Sequence, residues 1–390
     1  MKPVFRIIEG QSQYGVFDSW QDALYREFLR LGVPAEKVPI AQSYARPARE
    51  QEVSLGFNLT RQWSREHRMT RHLAWLVDHP TFQSGFFMAS ITGMPVEYKR
   101  CVVCLVDEHW TEFAREIYEF PYACFLPHAA SLERPVPPSG EGRKYEVVLF
   151  GSLCDQEEAL TQLFKFVDEQ MPACRALVEM FVNSFDYHLS PRLDEALLKA
   201  IRQMGFPAPV IKIFMSTVFP QLDLYHRYKN RLKLIRSLTK SAVHIFGNGP
   251  WKTLNLPSNI VVHDPIPHRQ VLEVMQQARV LLNHAPTLIS GGHERVFDAL
   301  ACGCSVLSTE SSFLMRELGE RNGVTYFRAG VDEDALDGRI QELLASPSLP
   351  DRVAASQEVV FRKHHMGIRA LQLCQIVKNR WPEVFGEPGG

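Results

Sequence analysis

Short apolar runs that end on Gly, Asp, Asn or His, each followed by a stretch with helical spacing, recur along this 390-residue chain. That alternation constrains the fold more than any other feature of the sequence. Strands that alternate with helices pair in parallel, and a parallel sheet needs helices on both of its faces. Pro3–Glu9 reads as the first strand and stops at Gly10. A helix capped by Ser19 follows, with Trp20, Leu24, Phe28 and Leu31 at helical period and Gly32 as its stop. Further strands are expected at 52–58, at 71–77 (stopping at Asp78-His79-Pro80), at 100–106 and at 122–126 (stopping at Pro127-His128).

The stretch ERPVPPSGEGRK at 133–144 carries three prolines and two glycines and no apolar period, so it reads as a linker. A new strand opens at Tyr145–Phe150 and ends in Gly151-Ser152. Residues 155–240 are helical by pattern, with breaks near Pro172, Pro191 and Pro207-Pro209. Within them Arg227, Lys229, Arg231, Lys233 and Arg236 read as a solvated helix face, with phosphate contact the minority reading. The alternation then returns. Strands are expected at 242–246 (ending in Gly247), 259–263, 280–283 and 305–308, helices at 268–278, 294–301 and 334–344, and a long helical region at 351–380.

The fold class is therefore α/β, with two doubly wound domains. The expected division is 1–132, a linker at 133–144, 145–365 with a helical insertion at 155–240, and a closing helix at 366–390 packing back toward the first domain. Net charge is −1, which argues against a nucleic-acid partner, since such a chain shows a basic excess or stripe. No apolar run reaches membrane-span length, and the N-terminal run, broken by Arg6 and Glu9, reads as a strand and not as a secretory signal. The eight cysteines, several of them inside apolar runs, are expected reduced in a cytoplasmic protein. Cys101 and Cys104 have CxxC spacing but read as strand residues in CVVCLV.

In an open parallel sheet, ligands bind at the carboxyl ends of the strands. The segment NHAPTLISGGHERVFDALACGCSVLSTE at 283–310 supplies a strand end, a loop with Gly291-Gly292, and a helix starting near His293-Glu294. Glycines let backbone approach a ligand, and the free N–H groups and dipole of a helix start favour an anion such as a diphosphate. Glu294 and Asp298 are four apart and share a helix face. A carboxylate there can accept ribose hydroxyls, and Arg295 can reach phosphate. Without such a ligand, the same carboxylates would simply complement the helix dipole.

The stretch HERVFDALACGCSVL resembles the donor-binding segment of GT-B glycosyltransferases, and is most similar to a group resembling the spore-maturation protein CgeB. LAWLVDHP at 73–80, CFLPHAAS at 124–131, VVLFGSL at 147–153, IFGNGPW at 245–251 and HHMGIRALQLCQIV at 364–377 resemble further elements of that group, in its order. The resemblance implies a GT-B fold, two Rossmann-like domains facing a central cleft, and transfer of a sugar from a nucleotide-sugar donor, a UDP-sugar being favoured. It implies no metal and no other cofactor. Asp298 matches the ribose carboxylate, standing where Glu is usual. Arg295 matches the family arginine, and Gly151 and Ser152 the loop that approaches the donor phosphates. Gly247, Gly291, Gly292, His293 and Glu294 complete the expected donor site. Two departures stand out. A second Glu usual eight residues before the ribose carboxylate is Ser290 here, and CDQEE follows Gly151-Ser152 where a basic pair is usual. Asp78 and His79, then His128, are the first-domain candidates for a general base, with Asp107, Glu108 and His109 as competitors. The acceptor class stays open among a glycan, a lipid-linked glycan and a protein. The alternatives are a nucleotide-sugar epimerase of similar fold and a non-catalytic nucleotide-sugar or glycan-binding module. A dinucleotide dehydrogenase is disfavoured, because no GxGxxG follows the first strand.

Overall fold

The computed structural model describes residues 2–10, 12, 14–43, 49–60, 71–84, 86–87, 100–138, 142–187, 190, 192–319 and 322–386. Pro191 and residues 139–141 of the Pro-rich stretch lie outside them. Contacts divide the chain into two units: residues 1–134, 267–269 and 359–390 form the first, and 135–266 and 270–358 the second.

The first unit contains strands β1 (Val4–Glu9), β2 (Ala35–Pro39), β3 (Glu52–Phe57), β4 (Arg71–Leu76), β5 (Cys101–Leu105) and β6 (Ala123–Phe125). They form one sheet in the order β2-β1-β3-β4-β5-β6, with every pair parallel. β3 and β5 are buried at every position, as a parallel strand covered on both faces must be. Helix α1 (Val16–Arg30) lays Phe17, Trp20, Leu24 and Phe28 on the sheet, and Phe28 stacks on Phe5 at 4.2 Å. It starts three residues before the expected cap. Ser12 Oγ accepts from Phe17 N, and Gly15 stands at the N-cap with φ +68, so Ser19 lies inside the helix. Cys101 and Cys104 are buried in β5, where Cys104 Sγ lies 3.6 Å from Cys124 Sγ.

The second unit contains β7 (Tyr145–Phe150), β8 (Val243–Phe246), β9 (Ile260–His263), β10 (Ala278–Asn283), β11 (Ser305–Thr309) and β12 (Val324–Phe327), in the order β12-β11-β10-β7-β8-β9. All pairs are parallel. From β7 the chain adds β8 and β9 on one side, then returns to add β10, β11 and β12 on the other. The reversal leaves a topological switch point at the carboxyl ends of β7 and β10, where loops diverge and a ligand can enter. Val147, Leu149, Val280, Leu282, Ile245 and Leu307 fill the core under that point.

Between β7 and β8 lie the α-helices α2 (Gln156–Gln170), α3 (Arg175–Ser184), α4 (Leu193–Gln203) and the 30-residue α5 (Ala208–Ser237), which runs through Pro220. Helix α6 (Glu294–Ala301) follows β10, and α7 (Ser312–Leu318) follows β11. The expected 351–380 helical region is two helices, α8 (Leu349–Lys363) and α9 (Met366–Arg380), separated at His364-His365. In the first unit, α9 packs along α1, and Arg369 donates to the carbonyls of Pro127 and His128.

Candidate functional site

The carboxyl ends of β7 and β10 bring together charged side chains from α5 and α6. The basic run in α5 does not form one solvated face. Lys229, Lys233 and Arg236 point outward, whereas Arg231 is buried at 8% exposure and Arg227 is partly buried. Asp223, Arg227 and Arg231 recur every four residues, which places them on one side of the helix. Asp223 pairs with Arg227 at 2.8 Å. Arg231 turns instead to backbone. Its Nη1 donates to the Ser152 carbonyl at 2.6 Å, and its Nη2 to the His284 carbonyl at 3.4 Å. Among the described residues it forms no ion pair with a carboxylate. Burial, and then Arg295 and Arg227, lower its pKa to about 9.

The glycines explain how a guanidinium fits there. A Cβ on Gly151 would lie 3.1 Å from Arg231 Nη1, and a Cβ on Gly247 would lie 2.1 Å from the Gly151 carbonyl oxygen. That carbonyl accepts from Trp251 Nε1 at 3.0 Å, while Gly151 N donates to Phe246 O at 3.1 Å. The ends of β7 and β8 are thus zipped together, leaving the space over Gly151 to Arg231.

Arg295, in the first turn of α6, donates to the Phe150 carbonyl at the end of β7. Its guanidinium also meets the His293 ring, with Nη2 2.5 Å from Nε2. His293 Nδ1 lies 2.5 Å from the Glu294 carboxylate. Burial first, then Arg295, lower the His293 pKa, so the ring sits neutral among these groups near neutral pH. His284, directly after β10, is 3% exposed; burial, then Arg231, Arg227 and Arg295, hold its pKa well below the ordinary value. Gly151, Ser152, His293, Glu294 and Arg295 therefore come together with Arg227 and Arg231, from the run whose phosphate contact is the minority reading of the sequence, and with His284, which no motif marks.

Two expected members are set differently. Gly292 is required by packing, because a Cβ there would meet Leu314 and Phe297 at 2.7–2.9 Å. Gly291 is buried, and its carbonyl accepts from Ser311 Oγ at 2.5 Å. Asp298 is fully buried one turn into α6, whereas Glu294 keeps 13% of its side chain exposed. Ser290, where a second Glu is usual in the resembling group, meets Arg192 Nη2 at 3.3 Å.

In the first unit, Asp78 stands at the carboxyl end of β4 and is partly exposed. Asn58, with φ +49 at the end of β3, donates Nδ2 to the Asp78 carboxylate at 2.9 Å and accepts from Val77 N. His79 is buried against Trp110 and Phe113 and caps the turn at 80–83. His128 is buried against Trp20 at 5.0 Å. Asp107 caps the helix at Glu108–Glu116 through Trp110 N. Asp78 is thus the candidate with a carboxylate presented at a strand end, while the two histidines are set among aromatic rings.

Residues 227–375 match a family model described as glycosyl transferase-like. No curated protein matches the chain. Among solved structures, the chain is similar to a sucrose-phosphate synthase from Thermosynechococcus elongatus at 10% identity, covering 98% of this chain and 100% of that one with a TM-score of 0.54. It is similar to Anabaena Alr3699/HepE, solved in complex with UDP and glucose, at 9% identity, 97% and 100% coverage and a TM-score of 0.54. It is also similar to an alpha-glucosyltransferase solved in complex with UDP, at 11% identity, 97% and 100% coverage and a TM-score of 0.51. The chain has the GT-B fold. Among the described residues, no helix is long and apolar enough to cross a membrane.

Proposed function

We propose that this protein is a glycosyltransferase that moves a sugar from a nucleotide-sugar donor to an acceptor hydroxyl or amine. The observation that carries the reading is Arg231, a buried guanidinium bonded to backbone carbonyls at the switch point, with Arg227 and Arg295 beside it. A cation buried in this way is costly unless an anion joins it. A diphosphate is the ligand that three guanidinium groups at a strand-end loop fit best. The glycosyl transferase-like match over 227–375 includes Arg227, Arg231, His284 and Arg295, and supports the same reading.

In the reaction, the acceptor's O–H or N–H attacks the anomeric carbon as the bond from that carbon to the diphosphate oxygen breaks. Nucleoside diphosphate leaves carrying the bonding electron pair. Arg227, Arg231 and Arg295 neutralise the charge that grows on the leaving group, so the chemistry draws on fixed cations of this chain and requires no metal. Glu294 and Asp298 are the carboxylates proposed for the ribose hydroxyls. Asp78, held by Asn58, is proposed to accept the proton the acceptor gives up.

A UDP-sugar carrying a hexose or N-acetylhexosamine is the favoured donor. A polysaccharide, a lipid-linked glycan or a protein is the acceptor class, and CgeB-like enzymes the favoured subgroup. A cytoplasmic location accords with this reading. The test is incubation of purified protein with a panel of UDP-, GDP- and dTDP-sugars and mixed acceptors, read by release of nucleoside diphosphate. Release from one nucleotide class supports the proposal. Conversion of a donor into its epimer without release, or tight donor binding without turnover on any acceptor, contradicts it.

A further inference from the structure

Both ring nitrogens of His284 are buried, and neither meets a hydrogen-bond partner among the described residues. The residue is 3% exposed, at the end of the central strand β10. Such a group in a folded protein calls for a partner that is not part of the chain, whether water or ligand. The charges around it point to an anion. From α5 it faces Arg227, itself paired with Asp223, and Arg231; from α6 it faces Arg295, around which His293 and Glu294 gather. The protein's own groups nearest this ring are thus dominated by guanidinium, which a neutral imidazole tolerates and an imidazolium does not.

We propose that His284 donates a ring N–H to the donor's diphosphate and takes up a proton as that diphosphate binds. This deepens the donor-site reading given above and rests on it. An entering diphosphate diester carries two negative charges and reverses the sign of the field at the ring, so the charged imidazole becomes the favoured form. The proton comes from solvent. It leaves both ring nitrogens as donors, one of them directed to a phosphate oxygen. Linkage fixes the direction of the pH effect. A ligand that binds with a proton binds more tightly as pH falls, by up to about tenfold per pH unit, until the free enzyme's own imidazole is protonated. The proton also serves turnover, because a cationic donor beside the departing phosphate is strongest as negative charge accumulates there.

The experiment is calorimetric titration of the full chain with UDP-glucose and with GDP-mannose, whose diphosphate diesters have no group that titrates near neutrality. Each is run in buffers of different ionisation enthalpy. The expected result is net uptake of a large fraction of one proton and an affinity that rises as pH falls. His284→Gln is expected to bind about tenfold more weakly at mildly acidic pH, to take up no proton, and to show a flat pH profile. If His284→Gln does not fold, His284→Asn is measured in its place, and wild-type binding without proton uptake overturns the inference in either case. Binding without proton uptake, or uptake that survives the His284 substitution, would overturn this inference and leave the donor site standing. No binding of either nucleotide sugar, or of a wider panel, would overturn the donor site itself.

Discussion

Arg231 Nη1 donates to the carbonyl oxygen of Ser152 at 2.6 Å, tying the last turns of a 30-residue helix to the loop that leaves the first strand of the second unit. Through this bond a residue 79 positions away brings a guanidinium to the loop after Gly151, whose own sequence CDQEE supplies no cation. The guanidinium is buried without a carboxylate partner among the described residues, a state that costs stability unless an anion joins it.

Arg231→Met tests that trade directly. Removing a buried charge in favour of an apolar side chain of similar reach is expected to leave stability unchanged or raise it by about 1–2 kcal/mol. The same change removes a charge-assisted phosphate contact of roughly 1.5–3 kcal/mol, or about 10–100-fold in nucleotide affinity. Denaturant unfolding and nucleotide titration on one sample would read both. A variant that is destabilised but binds normally would make Arg231 a structural brace.

Asp298 is fully buried, one turn beyond the partly exposed Glu294. If its carboxylate holds ribose, Asp298→Asn should weaken nucleotide binding by roughly tenfold with little loss of stability. The affinity for inorganic pyrophosphate should not change, since pyrophosphate has no ribose. Equal weakening for both ligands would assign Asp298 to the support of α6, and no weakening would pass the ribose to Glu294.

Asp78→Asn keeps the shape of the side chain and its contact with Asn58 but removes the basic oxygen. Turnover is expected to fall by about 100-fold or more, with the donor dissociation constant unchanged. His79→Gln, by contrast, is expected to act mainly on stability, because that ring is packed on Trp110 and Phe113. Full activity in Asp78→Asn would remove the carboxylate from the mechanism.

Much of the fold can be read in the sequence because its strands are continuous apolar runs with hard stops. Val4–Glu9 ends at Gly10 and Tyr145–Phe150 at Gly151, and both stand where the pattern puts them. β2 escapes that reading because AEKVP is an edge strand whose alternate side chains meet solvent, so no apolar run marks it. β12 escapes because only its pairing with β11 gives the short run VTYF its identity. The helix at Glu294–Ala301 and the glycine loop before it are legible from residue types. Arg231 is marked only as one of the basic run, with phosphate contact the minority reading, since RYKNRLKLIR looks evenly charged until the helix faces are separated. The four-residue recurrence of Asp223, Arg227 and Arg231 is the signal that could have found it. His284 is visible as a polar side chain just beyond a buried strand, but its environment comes from Arg227 and Arg231 on α5 and Arg295 on α6.

Gly247→Ala should be severe for a reason independent of any ligand. Its Cβ would meet the Gly151 carbonyl oxygen at 2.1 Å, which neither zipped strand end can yield without moving. A loss of about 3 kcal/mol or more is expected from urea unfolding. A loss below about 1 kcal/mol would mean that the ends of β7 and β8 are looser than described.

His226 predicts the acid limb of stability. Burial first, then Lys229, lower its pKa to about 4 from 6.5, and its ring packs against Phe185 and Tyr225. The folded state therefore binds its proton later than the unfolded chain does. Stability is unaffected above the unfolded value and falls as pH drops from there toward about 4, by up to about 3 kcal/mol from this residue. His226→Leu should remove that share, seen as a smaller drop in the urea midpoint between neutral and acidic pH. An identical drop would place the acid sensitivity elsewhere.

The central claim is that the β7–β10 switch point of the second unit binds the diphosphate of a nucleotide sugar. Thermal unfolding of the wild type and of Arg231→Met, each with and without UDP-glucose, GDP-mannose and dTDP-glucose, tests it most directly. A rise in Tm is expected for the wild type with one nucleotide class, and little or no rise for the variant. A rise of the same size in both proteins, or none in a folded wild type with any of the three, would contradict it.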